Sequence, residues 1–479
     1  MVNGGKAGTQ GSSTAALPSI SKARRVLILT PRDWFVEECC VMHAPSATPS
    51  APLMLAAMLR GRGHQPQVLS FMVNETMRLA YKPDVVVIYS TFHLFMDVTA
   101  PLVRALRQAF SQAPFIMVMY DTLADCETQA MRACPELDYA VLPHEKELSV
   151  LDLVEHGQRR CPGGFGPDAG VVHRDQEGQV LDSGPRRARP DLDHLPFMGD
   201  ELAIYWREND HRQYQAAAVT FQRGCPNPCA FCPMRGTRPR YRDPEMVARE
   251  MRVAKEITGS PYLLSLEVLR EPERVHVLCD LLLAQGLRLE GGLGARCEYV
   301  HDQDLLDKLA RAGLGHIYFG VEAATEEMRA RLHKPISNQD LGRAITMAGR
   351  AGLGFTCSFI TGLPWEDEAY YQDFARLIVE LARQSHCKRI NLARLMPWPG
   401  LPITRELVTQ GLIDHEFSFS EWNQNSAQMM GLFRRTKHLG MGELEQLFDF
   451  LCSLSQQLIA SRQAQGLSTG PLAVRAARV

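Results

Sequence analysis

Ala216-Ala217-Ala218-Val219-Thr220-Phe221 runs directly into Gln222-Arg223-Gly224-Cys225-Pro226-Asn227-Pro228-Cys229-Ala230-Phe231-Cys232. The apolar run predicts a short buried strand, and the residues after it predict a loop carrying cysteines in a CxxxCxxC spacing. That spacing is too tight for disulfide partners and leaves no fourth ligand nearby. Three thiolates can hold three irons of a [4Fe–4S] cube, which usually has four cysteine ligands. One iron would then stay open, as a position does in other catalytic metal sites. Arg223-Gly224 supplies a tight turn, and Phe231 is placed to cover the cluster. A zinc site would want a fourth Cys or His, usually from a second CxxC, and none occurs outside this window. Buried cysteines packed as small hydrophobes are the other alternative.

Downstream, strands are predicted at 262–268, 289–294, 315–321, 354–360 and 388–395, alternating with helices near 243–257, 271–285, 302–312, 338–351 and 367–384. Six βα units suit a partial barrel, with the cysteine loop at the carboxyl end of its first strand, where barrel enzymes place their chemistry. Upstream, Val26–Thr30, Gln67–Phe71, Asp84–Tyr89, Phe115–Tyr120 and Asp138–Leu142 read as strands joined by helices, a doubly wound α/β domain. Residues 157–213 are rich in Gly and Pro and read as a linker, and 403–479 as mainly helical.

Composition sets the limits. The chain has 479 residues, of which 45% are hydrophobic and 22% charged. That balance predicts two to four domains with sizeable cores. A net charge of −2 gives no general case for nucleic acid or an anionic membrane. No run approaches the ~18 apolar residues of a membrane span. The Gly/Ser/Thr-rich residues 1–23 read as a disordered tail without a signal peptide. Thirteen scattered cysteines point to a reducing cytoplasm. Arg235, Arg238, Arg240 and Arg242, just after the cysteine loop, read as a solvated loop or as a site for a phosphate or carboxylate.

With Gly320-Val321-Glu322 at one strand end, Leu332-His333-Lys334-Pro335 beyond it, and Thr361-Gly362-Leu363-Pro364-Trp365-Glu366 at another, residues 215–405 resemble the radical S-adenosylmethionine (SAM) enzymes. The resemblance implies that SAM's amino and carboxylate groups occupy the open iron. It implies that Glu322 and Lys334 contact SAM's amino acid and ribose groups, with Arg296 a third contact. Where relatives carry an acidic or glycine-rich strand end for the amino group, Glu267 stands in. Gly362 would lie near the adenine, and Trp398 either roofs the site or packs. Taken singly, a Glu or Lys of this kind reads as a surface ion pair.

The first domain, with Pro52-Leu53 opening a helix, Gly63-His64 closing it and Asp193-His194-Leu195-Pro196-Phe197 as a bridge, resembles the cobalamin-binding domain of cobalamin-dependent radical SAM enzymes. The fold implied is α/β: a Rossmann-like cobalamin-binding domain (24–156), a linker (157–213), a partial (β/α)6 TIM-like core (214–402) and a helical C-terminal region (403–479). Thr91, Tyr120 and His144, at successive strand ends, are implied as cobalamin contacts. The turns there, Met119-Tyr120-Asp121-Thr122 and Pro143-His144-Glu145-Lys146-Glu147, are bulkier than the family's glycine-rich ones, and no Asp-x-His-x-x-Gly occurs. By resemblance, a flavodoxin- or ferredoxin-like donor supplies the electron that cleaves SAM. The resulting 5′-deoxyadenosyl radical activates an unactivated carbon of a small biosynthetic intermediate, and methylcobalamin methylates it. A cobalamin-linked radical cyclase is the alternative outcome. A cobalamin-binding regulator with a structural metal is the alternative of another class.

Overall fold

The computed structural model describes residues 22–31, 47–48, 50–71, 79, 81–90, 95–119, 125–156, 165–209, 216–265, 267–415, 436 and 438–464. The first half contains β1 (Arg25–Pro31), β2 (Ala47–Thr48), β3 (Gln65–Phe71), β4 (Val85–Ser90), β5 (Phe115–Met119), β6 (Tyr139–Val141), β7 (Val171–Arg174) and β8 (Val180–Asp182). Seven of these form one sheet in the order β3-β1-β4-β5-β6-β7-β8. The five strands from β3 to β6 are parallel, the doubly wound order in which ligands sit outside the carboxyl ends. β4 is buried at every position, as an unbroken Val/Ile run flanked by two parallel neighbours must be. Helix Ser50–Gly61 carries Pro52 in its first turn. Gly63, at φ +82°, follows its end.

The stretch read as a linker is built into this fold. β7 and β8 add antiparallel strands to the sheet, and helix Gly199–Glu208 follows. Strands of three or four residues among glycines and prolines carry too little periodicity to stand out.

The second half contains β9 (Ala216–Thr220), a two-residue hairpin pair β10 (Gln222–Arg223) and β11 (Arg240–Tyr241), then β12 (Pro261–Leu264), β13 (Gly292–Ala295), β14 (His316–Glu322), β15 (Gly354–Thr361) and β16 (Cys387–Arg394). β13-β14-β15-β16 form one parallel sheet, and β12-β9-β2 another. The predicted βα strands are all present, but the ladder is interrupted between β12 and β13. The expected strand 262–268 stops at Leu264. The chain then turns into a short helix, Val268–Arg270, and the Arg296 N–H reaches back to Glu267 Oε1 at 3.3 Å across the gap. Along β14, Ile317, Phe319 and Val321 are buried, while His316, Tyr318 and Gly320 between them stay partly open, the alternation that puts successive side chains on opposite faces of a sheet. Helices are stopped and started by side chains: Asp243 caps Pro244–Thr258, with Gly259 at its end, and Ser337 and Asp340 form a capping box.

The two halves are joined by strand pairing. β2 lies parallel to β9, and the Ser50 and Thr220 hydroxyls meet at 2.8 Å in a buried contact. At the other end, helix Met441–Ala464 packs on helix Glu368–Arg383 and β16, with Arg462 donating to the Ala382 carbonyl at 2.9 Å. A cation placed there satisfies carbonyls that a helix end leaves unpaired. Among the described residues no helix is long and apolar enough to cross a membrane.

Candidate active site

The cysteine loop hangs from the β10–β11 hairpin. Gly224 at its base has φ +86°, and a Cβ there would run into the Arg238 carbonyl oxygen. Only glycine fits. Thr237 ties the loop's two arms together: its hydroxyl accepts from the Cys225 N–H at 2.8 Å, and its N–H donates to the Cys225 carbonyl at 2.9 Å. From outside, the Ala230 N–H donates to the Leu332 carbonyl, and the Ile403 N–H donates to the Ala230 carbonyl. Cys225, Cys229 and Cys232 are all free thiols. Burial pushes the Cys232 thiol up to about 11. A thiolate there needs a strong positive charge beside it, which a metal supplies. Among the described residues no three Cys, His, Asp or Glu side chains converge as ligands of a single ion. Three free thiols on one loop suit a cluster, which takes one sulfur ligand per iron, rather than a single ion. Phe231 is half-buried and packs against the core beside them.

Gln222, buried at the loop's root, accepts from Ser265 Oγ and the Glu267 N–H, both at 3.3 Å, and donates to the Gly224 carbonyl. It therefore ties the end of β12 to the cysteine loop. Glu267 is fully buried, and burial raises its carboxyl to about 7. Arg296 donates to Cys229 Sγ at 3.1 Å and pairs with Glu298 at 2.5 Å. Burial works against its charge, but Glu298 and Cys229 outweigh that and raise its pKa.

At the end of β14 a register shift leaves Glu322 at φ +72°, a strained backbone for a side-chain-bearing residue. Its Oε1 accepts from Lys334 Nζ at 2.7 Å, both groups buried. A Cβ at Gly320 would run into Glu322 Oε1 and lie 2.7 Å from Lys334 Nζ, so the missing side chain makes the pair possible. Burial disfavours the Lys334 ammonium, yet Glu322 raises its pKa overall. Behind the pair, fully buried Arg329 donates to the Ile336 and Ala324 carbonyls and shapes the segment that presents Lys334.

Gly362, at φ +83°, donates its N–H to Glu366 Oε2 at 2.8 Å, and the Tyr371 hydroxyl donates to the same oxygen at 2.8 Å. Glu366 thus sets the turn after β15, and burial raises its carboxyl to about 7. Trp398 is half-buried and packs on the core.

Of the expected cobalamin contacts, Thr91 and Tyr120 lie outside the described residues. His144 sits at the end of β6, half-buried at φ +71°, and burial lowers its pKa. Glu145 beside it, at φ +49°, pairs with His194 at 2.7 Å and with Arg240, and accepts from the Arg189 N–H at 2.8 Å. Burial pushes its carboxyl up, but these partners hold it down at about 2. Glu147 pairs with Arg223 at 2.9 Å. The β10–β11 hairpin beneath the cysteines is therefore clamped by acids of the first domain.

That clamp corrects the reading of the arginine-rich segment for two of its four arginines, while Arg238 is exposed as a solvated loop requires. Arg240 and Arg242 are buried, held by Glu145 and by Glu250 at 2.5 Å, and neither is solvated or open to an anion. Gln222, Asn227 and Tyr299 were missed by sequence reasoning because they meet partners from other strand ends, and Arg329 was missed because its local partners are backbone carbonyls, which leave no mark in the sequence.

Residues 219–378 match the Radical SAM superfamily. The chain is 27% identical over 310 residues to the anaerobic magnesium-protoporphyrin IX monomethyl ester cyclase of Rubrivivax gelatinosus, covering 62% of this chain and 53% of that one. The chain thus spans about half the length of that relative. It is 23% identical over 346 residues to an uncharacterized methyltransferase of Pyrococcus horikoshii, covering 70% and 71%. In fold it is similar to the radical SAM methyltransferase TsrM of Kitasatospora setae, solved with cobalamin and a [4Fe–4S] cluster, with a TM-score of 0.64, 15% identity and coverage of 94% and 92%. It is likewise similar to the cobalamin-dependent radical enzyme OxsB, solved with aqua-cobalamin and SAM, with a TM-score of 0.63, 14% identity and coverage of 93% and 62%.

Proposed function

From the premise that this enzyme carries a radical SAM domain at residues 219–378, we propose that it is a cobalamin-dependent C-methyltransferase acting at an unactivated carbon of a small biosynthetic intermediate. The observation that carries the reading is one rim. Three free thiols sit on one loop, Arg296 links Cys229 to Glu267, the Glu322–Lys334 pair lies at the next strand end, and the carboxyl end of β6 is clamped against the hairpin below.

Cys225, Cys229 and Cys232 are the cluster ligands in this reading, and Phe231 covers one side. A [4Fe–4S] cluster bound there would supply the electron for cleaving SAM, and cobalamin held by the first domain would supply a transferable methyl group. Glu267, with its carboxyl near neutrality, is the partner for SAM's ammonium, whose arrival favours the ionised form. Lys334 and Glu322, which meet over the bare backbone of Gly320, hold SAM's carboxylate and ribose hydroxyls. Arg296 orients Cys229, and Gly362 shapes the adenine side. Thr91, Tyr120 and His144 are the proposed cobalamin contacts. A core at 214–402, a C-terminal region at 403–479, a flavodoxin- or ferredoxin-like donor and a reducing cytoplasm belong to the same reading, while the first domain, expected over 24–156, extends through β8 into the expected linker 157–213.

The test is anaerobic reconstitution with iron, sulfide, SAM and a low-potential reductant. Wild-type protein should release 5′-deoxyadenosine, and Cys229→Ala should not; release by the variant would sink the cluster assignment. The similarity to the Rubrivivax cyclase supports a second reading, radical ring closure. Methyl-labelled SAM separates the two, since only a methylase moves the label into product.

A further inference from the structure

Each thiol of the loop receives a hydrogen bond, and one arrives through a relay of side chains. Arg296 serves Cys229 at 3.1 Å, and the Met234 backbone serves Cys232. Cys225 Sγ accepts from Asn227 Nδ2 at 3.3 Å. Asn227 Oδ1 in turn accepts from the Tyr299 hydroxyl at 3.1 Å, and the Tyr299 oxygen accepts from Arg270 at 2.6 Å.

Chemistry fixes the direction of this chain. A guanidinium has donors only, so the Tyr299 oxygen accepts from it and sends its single proton on to Asn227. The amide oxygen is then occupied, and the NH2 group is the one turned toward sulfur. The Arg270 guanidinium also lies 5.4 Å from the centre of the Tyr299 ring. It thus holds the ring by its face as well as its hydroxyl. The Asn227 carbonyl accepts from the Gly236 N–H at 3.1 Å, which anchors the backbone beneath the amide. Arg270 and Tyr299 belong to the short helical turns Val268–Arg270 and Cys297–Tyr299. The segments that present Glu267 and Arg296 therefore also present the relay.

We propose that Arg270, Tyr299 and Asn227 are positioning residues that raise the reduction potential of a cluster held by Cys225, Cys229 and Cys232. The proposal rests on the cluster reading above. Reduction adds negative charge that the sulfurs share, so a donor aimed at a ligand sulfur stabilises the reduced form more than the oxidised one. Because Tyr299 holds the amide oxygen and the Gly236 N–H holds the backbone beneath it, the NH2 group is already oriented before the electron arrives.

The experiment is an anaerobic redox titration followed by electron paramagnetic resonance, on reconstituted wild type, Asn227→Leu and Tyr299→Phe, with iron and sulfide counted per chain. At a fixed potential the oxidised-to-reduced ratio should rise about tenfold in Asn227→Leu, equal to about 59 mV for one electron. Tyr299→Phe should shift it about threefold in the same direction, with cluster content unchanged. Tyr299→Phe leaves the cysteine loop intact, so it decides the question if Asn227→Leu loses its cluster. Fully loaded variants that both titrate with wild type overturn the proposal. A shift in Asn227→Leu with none in Tyr299→Phe overturns the relay. A wild-type chain that takes up no iron overturns the cluster reading itself, an outcome distinct from the other two.

Discussion

Glu145 and Glu322 are both buried glutamates at strand ends, both in left-handed backbone, and both paired with a cation. Their surroundings differ. Glu145 is saturated by Arg240, His194 and the Arg189 N–H, brought together from across the molecule. Among the described residues, Glu322 has Lys334 alone as a hydrogen-bond partner, and Gly320 clears the ground beside them. A saturated carboxylate can only hold parts of the chain together. An under-filled pair on a strained backbone, packed against a residue with no side chain, has capacity left for a ligand.

The largest effect should come from closing that space. Gly320→Val places carbon where the Glu322–Lys334 contact lies. Formation of 5′-deoxyadenosine per loaded cluster should then fall about a hundredfold or more, a barrier increase of about 2.7 kcal/mol. Near wild-type turnover in that variant would remove the pair from the site. Next is the saturated partner. Glu145→Ala leaves Arg240 buried without its acid. Urea unfolding should show a loss of about 3–5 kcal/mol. SAM cleavage per folded molecule should change by less than about threefold. A loss of stability under about 1 kcal/mol would break the contrast between the two glutamates.

Acid should sharpen the contrast further. The Glu145 carboxyl sits at about 2 when folded, below its ordinary 4.5, so the unfolded chain takes up the proton first as pH falls. Its contribution is therefore present above about 4.5 and is lost from there down toward 2, and Glu145→Gln should flatten that acid limb of the melting curve. Glu366 should give the smallest effect, of opposite sign. Its folded value of about 7 lies above 4.5, so the folded chain binds the extra proton, and stability falls as pH rises between those values. Glu366→Gln should remove that slope, and a slope equal to wild type would mean that Glu366 ionises freely.

Which parts were legible follows from how local their signals are. The Val85–Ser90 run and the cysteine loop each declare themselves within one short stretch, whereas Glu322, Lys334 and Gly362 were singled out only through a family resemblance carried by short motifs at strand ends. The stop after Leu264 was hidden because Leu266, Val268 and Leu269 continue the apolar look of a strand while the backbone leaves the ladder. The partners of Glu145 stand between 44 and 95 residues away, and no pattern in one chain links positions so distant. For the same reason Arg240 and Arg242 looked like any basic loop, and Asn227 like a spacer between ligands.

The pairing of β2 with β9 bears on how such a protein can be cut, fused or inherited. Two residues from the first half finish the flank of the barrel's opening strand. A fragment beginning at Ala216 would bare a row of unpaired amides and carbonyls along an Ala/Val strand, the kind of surface on which copies stack and precipitate. Autonomy of the catalytic half would demand a substitute for those two residues, such as charges or a proline along the bared margin. Recombination that swaps one half for a foreign counterpart must carry Ala47-Thr48 with the barrel or lose the barrel to aggregation.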